Sequence, residues 1–506
     1  GALDEVAPER AHHFELGGDW SRAGRYLRRA AELAARRYEV AGARASLQHA
    51  LTLAGNLPLA ERGLVETEIL DALADTYLGT FDPRAVEPLT LLRERAARSG
   101  RVDIELKALV DLAYPLAWSD SGRALEVIGQ ALRLSEAHDD PLIRARTRAR
   151  CMMRRIWTRG WDAADAAECR RALRDVGRMS TPQDAAWHVI DCNLLDFFSA
   201  RYRTAMRDVL ASLATLGTEC ATGHLSYAQS VRELTVPWCL TLLGEWGEAL
   251  DRLDTGIDLA EKNGDTYSAE TLLLSRCSTL LHAMDFAGAR AICDSVLPAF
   301  DHPARAPWRR WCLAMSGAAE AGVGNHERAI ERLRTAGEEM DRHPALGDWY
   351  WRLWQQCALA NLWLSRGDLA RARDAGELFL ANAAATEERT WQALAGETQA
   401  RIALASDELP LAQSHVTNAL AAIEGVEAPV AAWQAHAAAA EVFRKRGATA
   451  AAAHHRATSR DIILRLATAL GAERETLRRT FVSAGRVAGI LEPAVHVPGV
   501  VGETIR

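Results

Sequence analysis

Tryptophan and arginine are the side chains in this sequence best suited to holding a ligand. The chain has 15 tryptophans, and they concentrate in two short segments, 308–311 and 349–354. A flat indole stacks on planar or apolar groups, and a neighbouring arginine or glutamine adds hydrogen bonds. We therefore expect a ligand site on a concave surface. Its predicted residues are Trp308, Arg309, Trp311, Trp351, Arg352, Trp354, Gln355, Trp391 and Trp187.

A second group of candidate functional residues consists of the arginines between residues 144 and 174. Guanidinium groups bind carboxylates and phosphates, so this segment is a candidate surface for an anionic ligand or an acidic partner. Asp162, Asp165 and Glu168 lie close by in the sequence, so a surface of internal ion pairs is the alternative. The residues predicted for anion binding are Arg148, Arg154 and Arg155.

Catalysis is not indicated by any motif. The pairs His12-His13 and His454-His455 are adjacent in sequence, and neighbouring residues on a helix do not face each other, so neither pair alone makes a metal site. The sequence contains no G-x-x-x-x-G-K-[ST] phosphate loop, no H-E-x-x-H motif and no nucleophile elbow. We therefore predict no catalytic residue, no metal and no cofactor.

Composition limits the class of protein. The 506 residues are 49% hydrophobic and 25% charged, which is typical of a globular chain and excludes a disordered one. The apolar runs are too short to cross a membrane. A net charge of -7 argues against direct contact with nucleic acid. The nine cysteines are odd in number and lack C-x-x-C spacing, which suits a reducing cytoplasm, and no secretory signal is expected.

A short turn pattern recurs about every 40 residues. In its clearest form a glycine is followed five residues later by an alanine, as in Gly244–Ala249, Gly324–Ala329 and Gly367–Ala372. Glycine ends one helix in a left-handed conformation, and alanine lets the next helix pack closely against the first. Each unit is therefore a predicted hairpin of two helices. Turns are expected near residues 40, 80, 119, 161, 200, 244, 284, 324, 367, 407 and 447.

A glycine turn between two helices, with a small alanine in the second, resembles a tetratricopeptide repeat (TPR) with lengthened helices. The predicted fold is all-α: TPR-like hairpins of about 40 residues stacked into a right-handed superhelix. In such arrays the first helix of each unit, helix A, lines the concave surface. Several tryptophans fall 13 to 16 residues before a turn, which places them in a stripe along helix A. The stripe either lines a groove or anchors neighbouring hairpins.

Both ends of the chain resemble a known family. The segment Pro8–Trp20 with the following Tyr26-Leu27, and the segment Leu477–Val487, resemble the region after the ATPase core of bacterial signal-transduction ATPases with numerous domains. That family, known as STAND, includes the maltotriose-responsive activator of the maltose regulon and winged-helix or cyclase regulators. The resemblance implies a sensor arm that binds a small-molecule effector or a protein on its concave face. It also implies that ATPase and effector domains precede residue 1 and receive the signal.

The predicted organisation has four parts. Residues 1–39 are N-terminal helices that would follow the ATPase core, 40–455 form a superhelix of about ten hairpins, 456–491 are closing helices, and 492–506 are a loosely structured tail. Two further functions stay open. One is a free-standing TPR scaffold that binds a protein or peptide and has no small-molecule site, and the other is the accessory arm of a nucleotide cyclase or kinase.

Overall fold

A computed structural model describes residues 6–37, 39–217 and 225–491, and every regular element in these ranges is helical. The predicted tail at 492–506 lies outside the described residues. The helices from the N-terminus are α1 (Ala7–Leu16), α2 (Trp20–Arg36), α3 (Val40–Ala54), α4 (Leu59–Leu78), α5 (Val86–Arg98), α6 (Val102–Ala117), α7 (Ser121–Glu136), α8 (Pro141–Arg159), α9 (Ala163–Met179), α10 (Pro182–Asp191), α11 (Leu194–Phe197), α12 (Tyr202–Leu216) and α13 (Leu225–Leu242). They continue as α14 (Trp246–Lys262), α15 (Thr266–His282), α16 (Phe286–Val296), α17 (Ala306–Gly322), α18 (His326–Arg342), α19 (Asp348–Ser365), α20 (Leu369–Ala384), α21 (Arg389–Ala405), α22 (Leu409–Ile423), α23 (Pro429–Lys445), α24 (Thr449–Ala469), α25 (Glu475–Ser483) and α26 (Gly485–Ala488).

These helices pair into hairpins at the predicted turns. From α2/α3 to α23/α24 the described ranges hold eleven such pairs, with α10 and α11 together acting as the first helix of one pair. Nine of the eleven described turns contain a residue with positive φ, which is a glycine in five of them and Phe81, Ala200, Met284 or Asp407 in the other four. A left-handed residue ends the first helix, so the predicted all-α hairpin array is confirmed.

The recurring spacing between turn and alanine has a packing role. The alanine five residues after the turn is fully buried in the units at Ala249, Ala289, Ala329, Ala372 and Ala412. A small side chain at this place lets the two helices of a hairpin approach closely. Aspartates at several turns then cap the second helix, as where the carboxylate of Asp368 accepts a bond from the Arg371 N–H at 3.1 Å.

Hairpins that are far apart in the sequence also meet, because the superhelix winds back on itself. The Leu346 N–H donates to the Ala117 carbonyl at 2.7 Å, and the Gly347 N–H donates to the Trp157 carbonyl at 2.8 Å. Further along, the Tyr202 hydroxyl donates to the carboxyl group of Glu388, 186 residues away. Successive turns of the superhelix are therefore bonded to each other.

The predicted domain boundaries fall inside this continuous array. Helix α2 is the first helix of a hairpin with α3, and α24 runs unbroken across residue 455. The closing helix α25 packs back onto an earlier hairpin, where the Phe481 ring meets the Trp246 indole edge to face at 5.0 Å. Among the helices of the described ranges, none combines the length and apolar character needed to cross a lipid bilayer.

Candidate functional site

A groove of about 610 Å³ crosses α6, α8 and α10, the first helices of three successive hairpins. Equivalent helices present equivalent faces because the hairpins stack in a regular array. Trp187 is the predicted ligand-site tryptophan that lies in this groove, and its side chain is half-buried. The residues that line the groove include Ile104, Lys107, Val110, Ile143, Arg146, Arg150, Gln183, Trp187 and His188.

Oppositely charged side chains alternate beside the groove, and two of them, Lys107 and Arg150, line it. Lys107 Nζ lies 2.9 Å from the carboxylate of Asp111, and Arg150 Nε lies 2.6 Å from that of Asp191. The chain of ion pairs crosses four hairpins, and we call it the charge row. In spatial order it consists of Asp71, Lys107, Asp111, Arg150, Asp191 and Arg154.

The pKa shifts of Asp191 and Lys107 favour the charged form of each. Burial raises the pKa of Asp191, but Arg150 and Arg154 outweigh it and lower the pKa to about 2. Burial likewise lowers the pKa of Lys107, while Asp111 and Asp71 raise it well above the usual range. Buried charges are tolerated when each is paired in this way.

Lys107 and Arg150 have more N–H groups than the charge row uses, whereas both oxygens of Asp111 and of Asp191 already accept hydrogen bonds. Asp111 and Asp191 each accept from two cations, one on each oxygen. Arg150 uses Nε and Nη2 in these pairs, and no described residue accepts a bond from its Nη1. Lys107 bonds two carboxylates with an ammonium that has three N–H groups. The floor of the groove therefore offers donors to an incoming acceptor.

His188 and Arg146 border Trp187. The Nδ1–H of His188 donates to the Asp184 carbonyl at 2.8 Å, so Nε2 carries the lone pair of the neutral ring. Burial, reinforced by Arg150, lowers the pKa of His188, which keeps the ring neutral at pH 7. Arg146 Nη2 lies 2.7 Å from the Asp184 carboxylate. Donors and an acceptor thus flank one half-buried indole.

The three arginines predicted for anion binding do not form one surface. Arg148 Nη1 lies 3.4 Å from Glu168, and Arg155 Nε lies 3.2 Å from Asp165, both on α9. Arg154 belongs to the charge row instead, with Nη2 2.6 Å from Asp191. All three cations are paired with acids. The arginines of α8 that line the groove are Arg146 and Arg150, four residues apart, and Arg154 continues the same stripe beyond it.

Three of the six predicted tryptophans lie in a second place, which we call the aromatic core. Trp308, Trp311 and Trp351 are 7%, 3% and 5% exposed. The indoles of Trp311 and Trp351 stack at 4.5 Å with 14° between their planes. The core consists of Trp118, Trp157, Trp238, Trp308, Trp311 and Trp351.

The aromatic core joins two turns of the superhelix. Trp118 meets Trp308 edge to face at 5.3 Å, and Trp157 meets Trp351 at 5.9 Å, although each pair is distant in sequence. A cavity of about 60 Å³, here the inner cavity, remains among Trp157, Trp238, Trp308, Trp311 and Trp351. The tryptophan stripe therefore packs against another turn and also encloses a void.

The other predicted ligand-site residues lie outside both places. Trp354 and Trp391 meet at 5.0 Å in a neighbouring cluster with His282, whose pKa burial lowers to about 4. The polar candidates turn towards helix α18. Their bonds there join Arg309 Nε to Glu339 at 3.0 Å, Arg352 Nη2 to Asp341 at 2.8 Å, and Gln355 Nε2 to the Leu333 carbonyl at 3.1 Å.

The charge row contains residues that the sequence did not single out, above all Lys107, Asp111 and Asp191. Their signal was present in the sequence, because Asp71, Asp111, Arg150 and Asp191 recur about 40 positions apart on successive first helices. Among the residues the structure describes, no group of three or more histidine, cysteine or acidic side chains is arranged to hold a metal ion.

Comparisons with known proteins bear on the fold. No family model matches the chain, and no curated protein matches it. Among solved structures, the Rap protein complexed with Competence and Sporulation Factor is 13% identical, and the match covers 72% of this chain and 99% of that one with a TM-score of 0.54. The APC/C hetero-tetramer Cut9-Hcn1 is 11% identical, and the match covers 97% of this chain and 96% of that one with a TM-score of 0.50. This likeness confirms the predicted TPR-like superhelix.

Proposed function

We propose that this chain is a protein-interaction array whose groove binds an extended peptide or an extended segment of a partner protein. The observation that carries the proposal is the groove of about 610 Å³ across three equivalent helices, with Trp187 half-buried at its side. An extended main chain presents N–H and C=O groups in alternation, and the groove supplies partners for both. Trp187 would anchor one side chain of the ligand.

The polarity of the groove supports this ligand over a nucleic acid. The charge row contains three acids and three bases, so it presents hydrogen-bond donors without a net positive field. Phosphate backbones need such a field. The two similar structures also support the proposal, because Rap was crystallised with a bound factor and Cut9 with Hcn1.

Within a longer protein the array would act as the sensing arm of a cytoplasmic bacterial signalling ATPase, as its two end segments suggest. Binding in the groove would pass to an effector domain through α8, which carries Arg146 and Arg150 in the groove and Trp157 in the aromatic core. A ligand can drive such a change only if it binds the two arrangements with different affinity. A free-standing scaffold uses the same groove without this relay.

The test is a selection of random peptides displayed on phage against the chain, followed by fluorescence anisotropy of the recovered peptides. We expect saturable binding that weakens at least about tenfold in Trp187→Ala, because buried aromatic anchors carry much of the binding energy of an interface. The matched control is Leu378→Ala, which shortens an exposed side chain on another helix. Peptides that bind wild type and Trp187→Ala equally, or no peptide at all, would refute the proposal.

A further inference from the structure

A second cavity adjoins the inner cavity of the aromatic core. It lies between the turn that follows α4 and the helices α13, α14 and α15, and its volume is also about 60 Å³. We call it the outer cavity. Phe81, Leu234 and Thr271 line both cavities. The two cavities are therefore neighbours whose walls have these three side chains in common.

Two of the tryptophans that line the inner cavity have indole N–H groups without an acceptor. The indole N–H groups of Trp311 and Trp351 are buried, and no described residue accepts a bond from either. The two side chains are 3% and 5% exposed. A buried indole N–H normally has a partner, and leaving it unpaired is unfavourable. A void of 60 Å³ holds on the order of four water molecules, so the occupant can be larger than one water.

The described walls of both cavities are mainly apolar and contain no cation that would neutralise an anionic ligand. Neither cavity is lined by a lysine or an arginine of the described chain. The outer cavity instead has two acids in its wall, Glu233 and Asp265, and burial raises the pKa of Asp265. A carboxylate ligand would meet these acids and would have no cation to neutralise it.

Phe81 is held in place at the boundary between the cavities. Its φ of 55° is in the left-handed region, which is unfavourable for a bulky side chain and persists only where the surroundings fix it. The turn geometry of the hairpin imposes this φ, and the ring packs at 5.7 Å from Trp308. The fold therefore sets the position of the Phe81 backbone at the boundary between the two cavities.

We propose that the two cavities together bind a neutral, elongated and mainly apolar molecule with one hydrogen-bond acceptor, such as an acyl amide. The acyl chain would occupy the apolar space through the outer cavity, and the carbonyl would accept from Trp311 and Trp351. This site is separate from the groove and does not depend on peptide binding there.

Octanamide is the probe, with octanoate and acetamide as comparisons. Calorimetry should show saturable binding of octanamide, with quenching of tryptophan fluorescence. Octanoate should bind at least about tenfold more weakly because its charge is buried among acids. Acetamide, which lacks the chain, should show no saturable binding. Equal binding of octanoate and octanamide, or no saturable binding of octanamide to the folded chain, would overturn the proposal.

Two variants locate the site. Leu234→Trp fills the shared wall and should abolish octanamide binding, whereas Leu378→Trp adds the same side chain at an exposed position and should leave it unchanged. Trp311→Phe removes one donor and keeps an aromatic ring, so the Kd for octanamide should rise by up to about tenfold. If Leu234→Trp unfolds the chain by circular dichroism, Trp311→Phe alone decides. An unchanged Kd in Trp311→Phe would overturn the assignment of the carbonyl, and peptide binding in the groove would be unaffected in either case.

Discussion

The groove and the aromatic core are built from the same repeated helices, yet one is open and polar and the other is closed and apolar. Helix α8 takes part in both: Arg146 and Arg150 lie in the groove, and Trp157 packs against Trp351. Between them Arg154 lies over the Tyr114 ring at 4.6 Å, where the charge row ends. The difference depends on whether another part of the superhelix covers the helix. A second turn of the superhelix lies over the Trp157 end of α8 and leaves the Arg146 end open.

The comparison teaches that position within a repeat does not set the role of a side chain. Trp187, Trp311 and Trp354 were predicted at equivalent positions of their units, and they are respectively in the groove, in the aromatic core and beside His282. What each contacts depends on which distant hairpin packs over it.

The largest effect that would distinguish the groove from the aromatic core is expected when one acid of the charge row is removed. Asp191→Ala leaves Arg150 and Arg154, both less than 10% exposed, without the carboxylate they share. We expect a loss of roughly 3–5 kcal/mol in unfolding free energy, measured by urea denaturation, because unpaired buried charges are costly. The control is Glu248→Ala at an exposed ion pair with Arg252, which should change stability by less than about 1 kcal/mol. A loss below 1 kcal/mol for Asp191→Ala would mean that the row is solvated.

Tryptophan deletions compare the two regions directly. Trp351→Ala removes a buried indole that stacks on Trp311, so we expect a loss of roughly 3–5 kcal/mol in the same assay. Trp187→Ala removes a half-buried indole from the groove and should cost about 1 kcal/mol or less. Equal losses would show that Trp187 is a packing residue and would weaken its proposed role as an anchor.

Proton linkage tests the contact between turns. Burial raises the pKa of Glu388 to about 8, so this carboxyl is protonated in the folded chain at neutral pH and ionised when unfolded. Its contribution to stability is present below the unfolded pKa near 4.5 and is lost as pH rises towards 8. Between pH 6 and 7.5 the unfolding free energy should fall by about 2 kcal/mol more in wild type than in Glu388→Gln. Parallel pH profiles for the two proteins would contradict this.

The smallest expected effect concerns the close approach at Gly347. This residue has φ of 75°, and a Cβ atom there would lie 2.9 Å from Trp157 and 3.0 Å from Trp351. Gly347→Ala should cost roughly 1–3 kcal/mol from strain and overpacking. Gly367 has the same φ with nothing within 4 Å of such an atom, so Gly367→Ala should show the backbone part alone, about 1 kcal/mol. Calorimetric Tm values that shift equally for both would exclude a tight contact at Gly347.

The local pattern of the sequence was enough to predict the hairpins. Each hairpin by itself requires a residue that adopts a left-handed turn and a small residue in its second helix. The roles of Gly324 and Ala329 could therefore be predicted without knowing which hairpins pack beside them. The meeting of Trp118 with Trp308 was not readable, because it depends on how far the superhelix advances with each hairpin. The advance is the sum of small rotations between successive hairpins, so the sequence of one unit does not determine it.

The groove was only partly predictable for a related reason. Trp187 was selected from its spacing. The arginines of residues 144–174 had two interpretations, an anion-binding surface or internal ion pairs, and the structure pairs Arg148 and Arg155 with acids of α9 and Arg154 with the charge row. Lys107 and Asp191 were passed over because a charged residue in an apolar helix has no evident partner until the next hairpins are stacked on it.

The bonds between turns have a consequence for how this chain can change in evolution. Ordinary solenoids gain or lose a repeat easily, because each unit contacts only its neighbours. Here Tyr202 bonds a residue 186 positions away, and Arg203 bonds Glu427 224 positions away. Deleting one hairpin between them would move every later partner by a whole unit and would mismatch all of these contacts together. The number of hairpins is therefore locked by the winding, and the array should unfold as one cooperative body instead of fraying from its ends.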